Sequence, residues 1–135
     1  MQIVICANRL KAVCSSSSST DNTTTKFSEE IKEIVLHELV HANDFRNNTC
    51  DFSTCQGLAH SEIKAAREAE CSSAGKRVSR YLSRELGQEL RYKCIRSHAI
   101  RSTANIFGEN AATNCVDDVF NVAVKDFSPI VNPKP

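Results

Sequence analysis

Two histidines and a glutamate stand together in His37-Glu38-Leu39-Val40-His41, an H-E-x-x-H pattern. On a helix, residues four apart lie about 40° apart around the axis, so both imidazoles can reach one metal ion. Glu38 directly follows His37, flanks the same point and can take a proton from a water there. A Zn²⁺ ion at such a place acts as an electrophile and lowers the pKa of water to about 7 in favourable sites. The chemistry this supports is hydrolysis of a peptide bond. In a chain with 4 His the pattern arises by chance roughly once in a hundred. The alternative is a pair of core histidines satisfied by hydrogen bonds. Against it, the three polar residues sit in an otherwise apolar helix, where burying them is costly unless they bind something.

A zinc site needs a third protein ligand. Glu62 lies 21 residues beyond His41 on the next expected helix, an interval similar to that of metallopeptidases with a glutamate third ligand. His60 is the rival. Residues two apart on a helix face different ways, so only one of the two can point at the metal. Asp44 and Arg67 can orient ligands or a substrate carbonyl from behind the site; surface salt bridges are the alternative for both. His98 is remote in sequence and is expected to face solvent.

The elements that must position these groups read mainly as helices. Gln2–Cys6 is β-branched and reads as a short strand. Residues 15–25, almost all Ser, Thr and Asn, read as a low-complexity polar loop that buries too little apolar area to offset its ordering entropy. A helix is expected from Ser28, an N-cap residue followed by Glu29 and Glu30, to about Phe45. Ile31, Val35, Leu39 and Ala42 recur at helical spacing, and Ile34, Leu36 and Val40 widen the apolar surface, which predicts a helix buried on most sides. Further helices are expected over about Leu58–Cys71, Lys76–Leu86, Gln88–Ser102 and Asn110–Lys125. The last places Val116, Val119, Phe120 and Ala123 on one face. Residues 126–135, with Pro129 and Pro133, form an irregular tail. The 135 residues suit one domain.

Composition sets outer bounds. Hydrophobic residues make up 41% and charged residues 24%, ordinary for a globular domain. Lys and Arg total 17 against 16 Asp and Glu, a net charge of +1, which gives no electrostatic case for nucleic acid or an anionic membrane. Trp is absent, so base-stacking platforms are not expected. No apolar run is long enough to span a bilayer. The seven cysteines are Cys6, Cys14, Cys50, Cys55, Cys71, Cys94 and Cys115. None forms a C-x-x-C pair, which argues against zinc ribbons and thioredoxin-like motifs. Their spacing suits either two or three disulfides in an oxidising compartment or buried free thiols. An odd count leaves at least one unpaired within the chain. The opening residues carry neither a secretory signal nor an Arg-rich presequence.

Several blocks follow in order: Ile3-Val4-Ile5-Cys6-Ala7-Asn8-Arg9, His37-Glu38-Leu39-Val40-His41-Ala42 with Asp44 and Arg46, Ala59-His60-Ser61-Glu62-Ile63-Lys64-Ala65, Cys94-Ile95-Arg96, and Val116-Asp117-Asp118-Val119-Phe120. Together they resemble the Atp-twenty-three metalloproteases of the mitochondrial inner membrane and intermembrane space. The resemblance implies a zincin-like metalloprotease domain, mainly α with a small N-terminal β element. It implies zinc held by His37 and His41, with Glu38 as catalytic base. It also implies maturation of a mitochondrially encoded ATP synthase membrane subunit and assistance in its assembly. The expected location is the intermembrane-space side of the inner membrane, with oxidative folding of the cysteines. Without a transmembrane segment of its own, the chain would meet the membrane through partners such as ATP synthase or respiratory-chain subunits.

The chain also departs from the family. His60 replaces a family cysteine, Gln56-Gly57-Leu58 lacks a family histidine, and Phe45 meets Arg46 without the cysteine expected there. Another cysteine is lost within Asn121–Val124, and the interval from Glu62 to Cys71 is one residue short. Cys6, Cys71, Cys94 and Cys115 hold family-like places, so at least one disulfide of the family is expected to be absent. Two functions follow: an active zinc endopeptidase, or a non-catalytic metal-binding accessory subunit derived from that protease family.

Overall fold

The computed structural model describes residues 22–127; residues 1–21 and 128–135 lie outside the described part. Five helices follow one another there: α1 (Asn22–Asn47), α2 (Cys55–Glu68), α3 (Lys76–Tyr81), α4 (Arg84–Phe107) and α5 (Glu109–Ala123). The first starts six residues before Ser28, taking residues 22–25 of the polar segment into the helix. Once a helix is nucleated, each further residue adds a bond cheaply, so a polar run with modest propensity can extend it. Residues 15–21 lie outside the described part.

Local chemistry sets the other boundaries. Thr54 caps α2 by accepting from the Gly57 N–H at 3.1 Å. Ser83 caps α4 by accepting from the Leu86 N–H at 3.1 Å. That cap divides the expected Lys76–Leu86 helix, leaving the short α3 and starting α4 early. Gly108, at φ 82°, ends α4 and admits α5; a side chain would be strained in that backbone conformation.

Among the described elements, α2, α4 and α5 each touch the other two, whereas α1 rests on α2 alone and α3 on α4 alone. The shared core contains Ile63, Ile95 and Val116, all fully buried, with Ala59, Ala66, Ala99 and Ala123 between them. Burying each large aliphatic chain contributes roughly 1.5–3 kcal/mol. The small alanines let the helix axes approach. Two family-like blocks meet here, because Ile95 of α4 and Val116 of α5 share the core while Arg96 grips Asp117 with two bonds of 2.6 and 2.8 Å at the surface.

Disulfides staple the same three helices. Cys55–Cys115 joins α2 to α5 and Cys71–Cys94 joins the turn after α2 to α4, at sequence separations of 60 and 23. Loop-closure entropy alone makes these worth roughly 4 and 3 kcal/mol. Cys50 is a free, half-buried thiol. Burial, then the nearby Asp44 charge, pushes its pKa up to about 11, so it is a poor nucleophile at neutral pH. Cys6 and Cys14 lie outside the described residues.

The expected small β element is corrected. Every regular element among the described residues is an α-helix, with no strand and no sheet, and the five helices do not show a zincin-like arrangement. The core closes around the α2–α4–α5 triangle without a sheet. The segment 2–6, on which the strand expectation fell, lies outside the described residues, as does the tail from residue 128. No helix among those described is long and apolar enough to cross a membrane.

α1 also differs from expectation. Its buried stripe is Ile34, His37, Val40 and Asp44, while Val35, Leu39 and Phe45 are exposed. Half of that stripe is polar, and α2 answers it. Lys64 Nζ donates to Asp44 Oδ1 at 2.6 Å with both side chains fully buried. Asp44 also accepts from Ser61 at 2.7 Å and Thr49 at 2.8 Å. Substituting Lys64→Met should leave a buried, unpaired carboxylate and lower stability by about 3–5 kcal/mol. Urea unfolding of the disulfide-intact protein measures it.

Candidate metal centre

His37 and His41 lie one turn apart on α1, and Glu62 faces them from α2. Their donor atoms converge. The two Nε2 atoms are 3.0 Å apart. Glu62 Oε2 lies 3.4 Å from His37 Nε2 and Oε1 lies 3.4 Å from His41 Nε2. Donors at about 2.0–2.1 Å from a tetrahedral ion sit about 3.3 Å from one another, so this triangle has the size of a metal site. Among the described residues no fourth donor joins the three. The other gathering of donors, Cys71, Cys94 and His98, has both sulfurs in a disulfide.

The outer nitrogens are held differently. His41 Nδ1 lies 2.8 Å from Ser61 Oγ. Ser61 already gives its only hydroxyl proton to Asp44, so its oxygen must accept, and His41 carries its proton on Nδ1. His37 Nδ1 lies 3.0 Å from the Glu70 carboxylate, which can only accept, so His37 also donates from Nδ1. Both Nε2 atoms therefore turn lone pairs toward the Glu62 carboxylate. Three such groups cannot face one another at 3.0–3.4 Å without a positive charge among them.

In the metal-free chain that charge is a proton. Burial, the largest single influence, pulls the His37 pKa down, but the Glu62 and Glu70 carboxylates outweigh it and hold it at about 9. Burial pushes Glu62 up, yet His37 and His41 outweigh it and hold the carboxyl at about 2. Glu62 Oε2 is buried with no hydrogen-bond partner. Once that proton is displaced, a buried, ionised carboxylate beside two imidazole lone pairs fits a divalent cation.

Of the two rival third ligands, Glu62 joins the histidines. His60 Nε2 instead bonds Asp126 Oδ2 at 2.8 Å. Asp44 stands behind His41, through Ser61. Arg67 lies elsewhere: its Nη1 donates to the carbonyls of Ala123, Val124 and Asp126 at 3.4, 3.0 and 2.9 Å. There it caps the negative end of α5. Glu38 is half-buried, one residue along from His37. Phe52 stands edge-on to His41, with ring centroids 6.0 Å apart.

The chain matches the Peptidase M76 family over residues 1–131. It belongs to that family. This is a metallopeptidase family, that of the Atp-twenty-three proteases, so the resemblance carried by the sequence blocks holds. Membership supports a metalloprotease-related function and agrees with the gathered donors. No curated protein and no solved structure matches the chain.

Sequence reasoning missed Ser61, Lys64 and Glu70. Ser61 and Lys64 lie at i and i+3 on α2, the spacing of one helix face, and that was the available signal. Glu70 follows the end of α2 in a turn, where no periodicity marks it.

Two predictions follow from these outer contacts. Ser61→Ala should free the His41 ring and weaken divalent metal affinity by about 10–100-fold, read by competition with a chromophoric chelator. The second concerns pH. The His37 contribution to metal-free stability is complete below its ordinary pKa of 6.5 and is lost as pH rises through about 9. The Glu62 contribution is complete above 4.5 and is lost as pH falls through about 2. Thermal midpoints of the metal-free chain should therefore be highest between pH 4.5 and 6.5 and decline toward alkaline pH. Saturating metal should remove the alkaline decline, because it binds His37 only after deprotonation.

Proposed function

We propose that the chain is a zinc endopeptidase. The observation that carries this is the convergence of His37, His41 and Glu62 with no fourth protein donor among the described residues. Such an arrangement leaves a coordination position for substrate or water, as catalytic rather than structural zinc sites do. Two nitrogens and one carboxylate form a donor set that suits Zn²⁺. Bound there, Zn²⁺ would supply the Lewis acid that polarises the scissile carbonyl and makes water more acidic.

The chain's own residues do the rest. Glu38 accepts a proton from the attacking water and returns it to the leaving amine as the C–N bond breaks. Ser61 and Asp44 hold His41 in the Nδ1–H tautomer, and Glu70 does the same for His37. Family membership supports a substrate of the kind such proteases cleave, the propeptide of a mitochondrially encoded ATP synthase membrane subunit. The two disulfides favour an oxidising location such as the intermembrane space.

Glu38→Gln removes the base and leaves the three donors in place. Cleavage of a peptide spanning the propeptide junction should slow by about two to four orders of magnitude, with zinc content unchanged at about one ion per chain. Zinc binding with no cleavage by the wild type would instead favour the non-catalytic accessory subunit, and equal cleavage by both would remove Glu38 as the base.

A further inference from the structure

A second polar region lies away from the metal centre, in the angle between α3 and α4. A cleft of about 550 Å³ opens there, lined by Arg67, Lys76, Arg80, Arg84 and Arg91, with no carboxylate in its lining among the described residues. Outside the lining, Glu68 pairs with Arg67 Nε at 2.6 Å. Counting it against the five cations still leaves four positive charges around one cleft, in a chain whose total is +1. The fold produces this concentration. Lys76 and Arg80 are one turn apart on α3, and Arg84 and Arg91 are two turns apart on α4. Gly75 and Gly87 bring the two rows together: a Cβ on Gly75 would strike the Gly87 carbonyl, and one on Gly87 would strike the Ser79 hydroxyl.

The buried guanidinium groups supply an independent observation. Arg67 is only 2% exposed, and its Nη2 has no hydrogen-bond partner although Nη1 is fully engaged with carbonyls. Arg91 Nε is likewise buried and unpartnered, while its Nη2 donates to the Arg67 carbonyl at 3.3 Å. Unsatisfied donors on buried charged groups are costly in a native fold and call for an acceptor. Guanidinium forks match the oxygens of phosphate and carboxylate. A single carboxylate would neutralise one charge of the surplus four, whereas a phosphate-bearing polyanion answers most of them.

We propose that this cleft is a binding site for a phosphate-bearing polyanion, either a free diphosphate-type ligand or the headgroups of an anionic phospholipid. Its net charge gave the chain no general affinity for such partners. The local arrangement does, and its lining shares no residue with the three gathered donors.

The test uses the full, disulfide-intact chain. Inorganic pyrophosphate is titrated calorimetrically, and co-sedimentation is measured with vesicles of phosphatidylglycerol and of phosphatidylcholine alone. Each is repeated with R80E/R84E, whose positions are exposed, and with Arg80→Gln/Arg84→Gln in case charge reversal disturbs folding. The proposal expects saturable binding of pyrophosphate, of phosphatidylglycerol vesicles, or of both, weakened at least tenfold in a variant whose thermal midpoint and zinc content are unchanged. Pyrophosphate binding alone identifies a free ligand; vesicle binding alone identifies the lipid headgroup. Binding of neither probe, or binding of wild-type strength in a folded variant, overturns it.

Discussion

The buried contact between Asp44 and Lys64 holds the functional half of the molecule to the structural half. α1 carries both histidines and Glu38, yet among the described elements it touches only α2. It buries a short stripe there, and the most buried polar member is Asp44. Desolvating a carboxylate and an ammonium together is favourable only with close, well-aligned partners. Asp44 has three, from Lys64, Ser61 and Thr49. Such a contact adds little net stability over an apolar pair, but it tolerates little displacement. A slide of α1 along α2 would strand both charges, so the pair sets the register in which the histidines meet Glu62.

That register explains the character of α2. From Leu58 to Arg67 it is buried at every position except His60. Ala59, Ile63 and Ala66 belong to the apolar core, while Ser61, Glu62 and Lys64 answer α1. One helix thus belongs to the disulfide-stapled core and supplies the third donor of the metal centre. The staples join α2, α4 and α5, so the carboxylate side of the candidate centre is built on the cross-linked part of the fold. Among the described residues, the histidine side rests on α2 and on Glu70 in the turn that follows it.

Parts of this were legible in the sequence. The His37–His41 spacing specified a shared helix face because the period of a helix fixes it. The argument that His60 and Glu62 cannot face the same way was equally geometric, and Glu62 is the residue that joins the histidines. The supporting contacts were hidden for a physical reason. A lysine or serine in a helix ordinarily signals solvent, and the sequence does not announce that Lys64 and Ser61 face a buried carboxylate on another helix. The helix breaks at Ser83 and Gly108 depended on local capping and on a positive φ, which hydrophobic periodicity does not register. The apolar breadth of α1 pointed to burial on most sides, but only one neighbouring helix meets it among the described residues.

Charge shows the same limit of one-dimensional bookkeeping. A total of +1 averages over groups that the fold separates. Carboxylates collect around the histidines, where Glu62 and Glu70 stabilise a proton or a cation. Guanidinium groups collect between α3 and α4, where two buried donors lack acceptors. Arg67 lies between these regions in sequence, five residues after Glu62 on the same helix, and its carbonyl contacts fix the end of α5 beside the basic cleft. Screening at physiological salt limits exposed charges to about 8 Å, but neither cluster is fully exposed. Each therefore keeps its own sign locally, so the cation proposed for one cluster and the polyanion proposed for the other would not oppose each other.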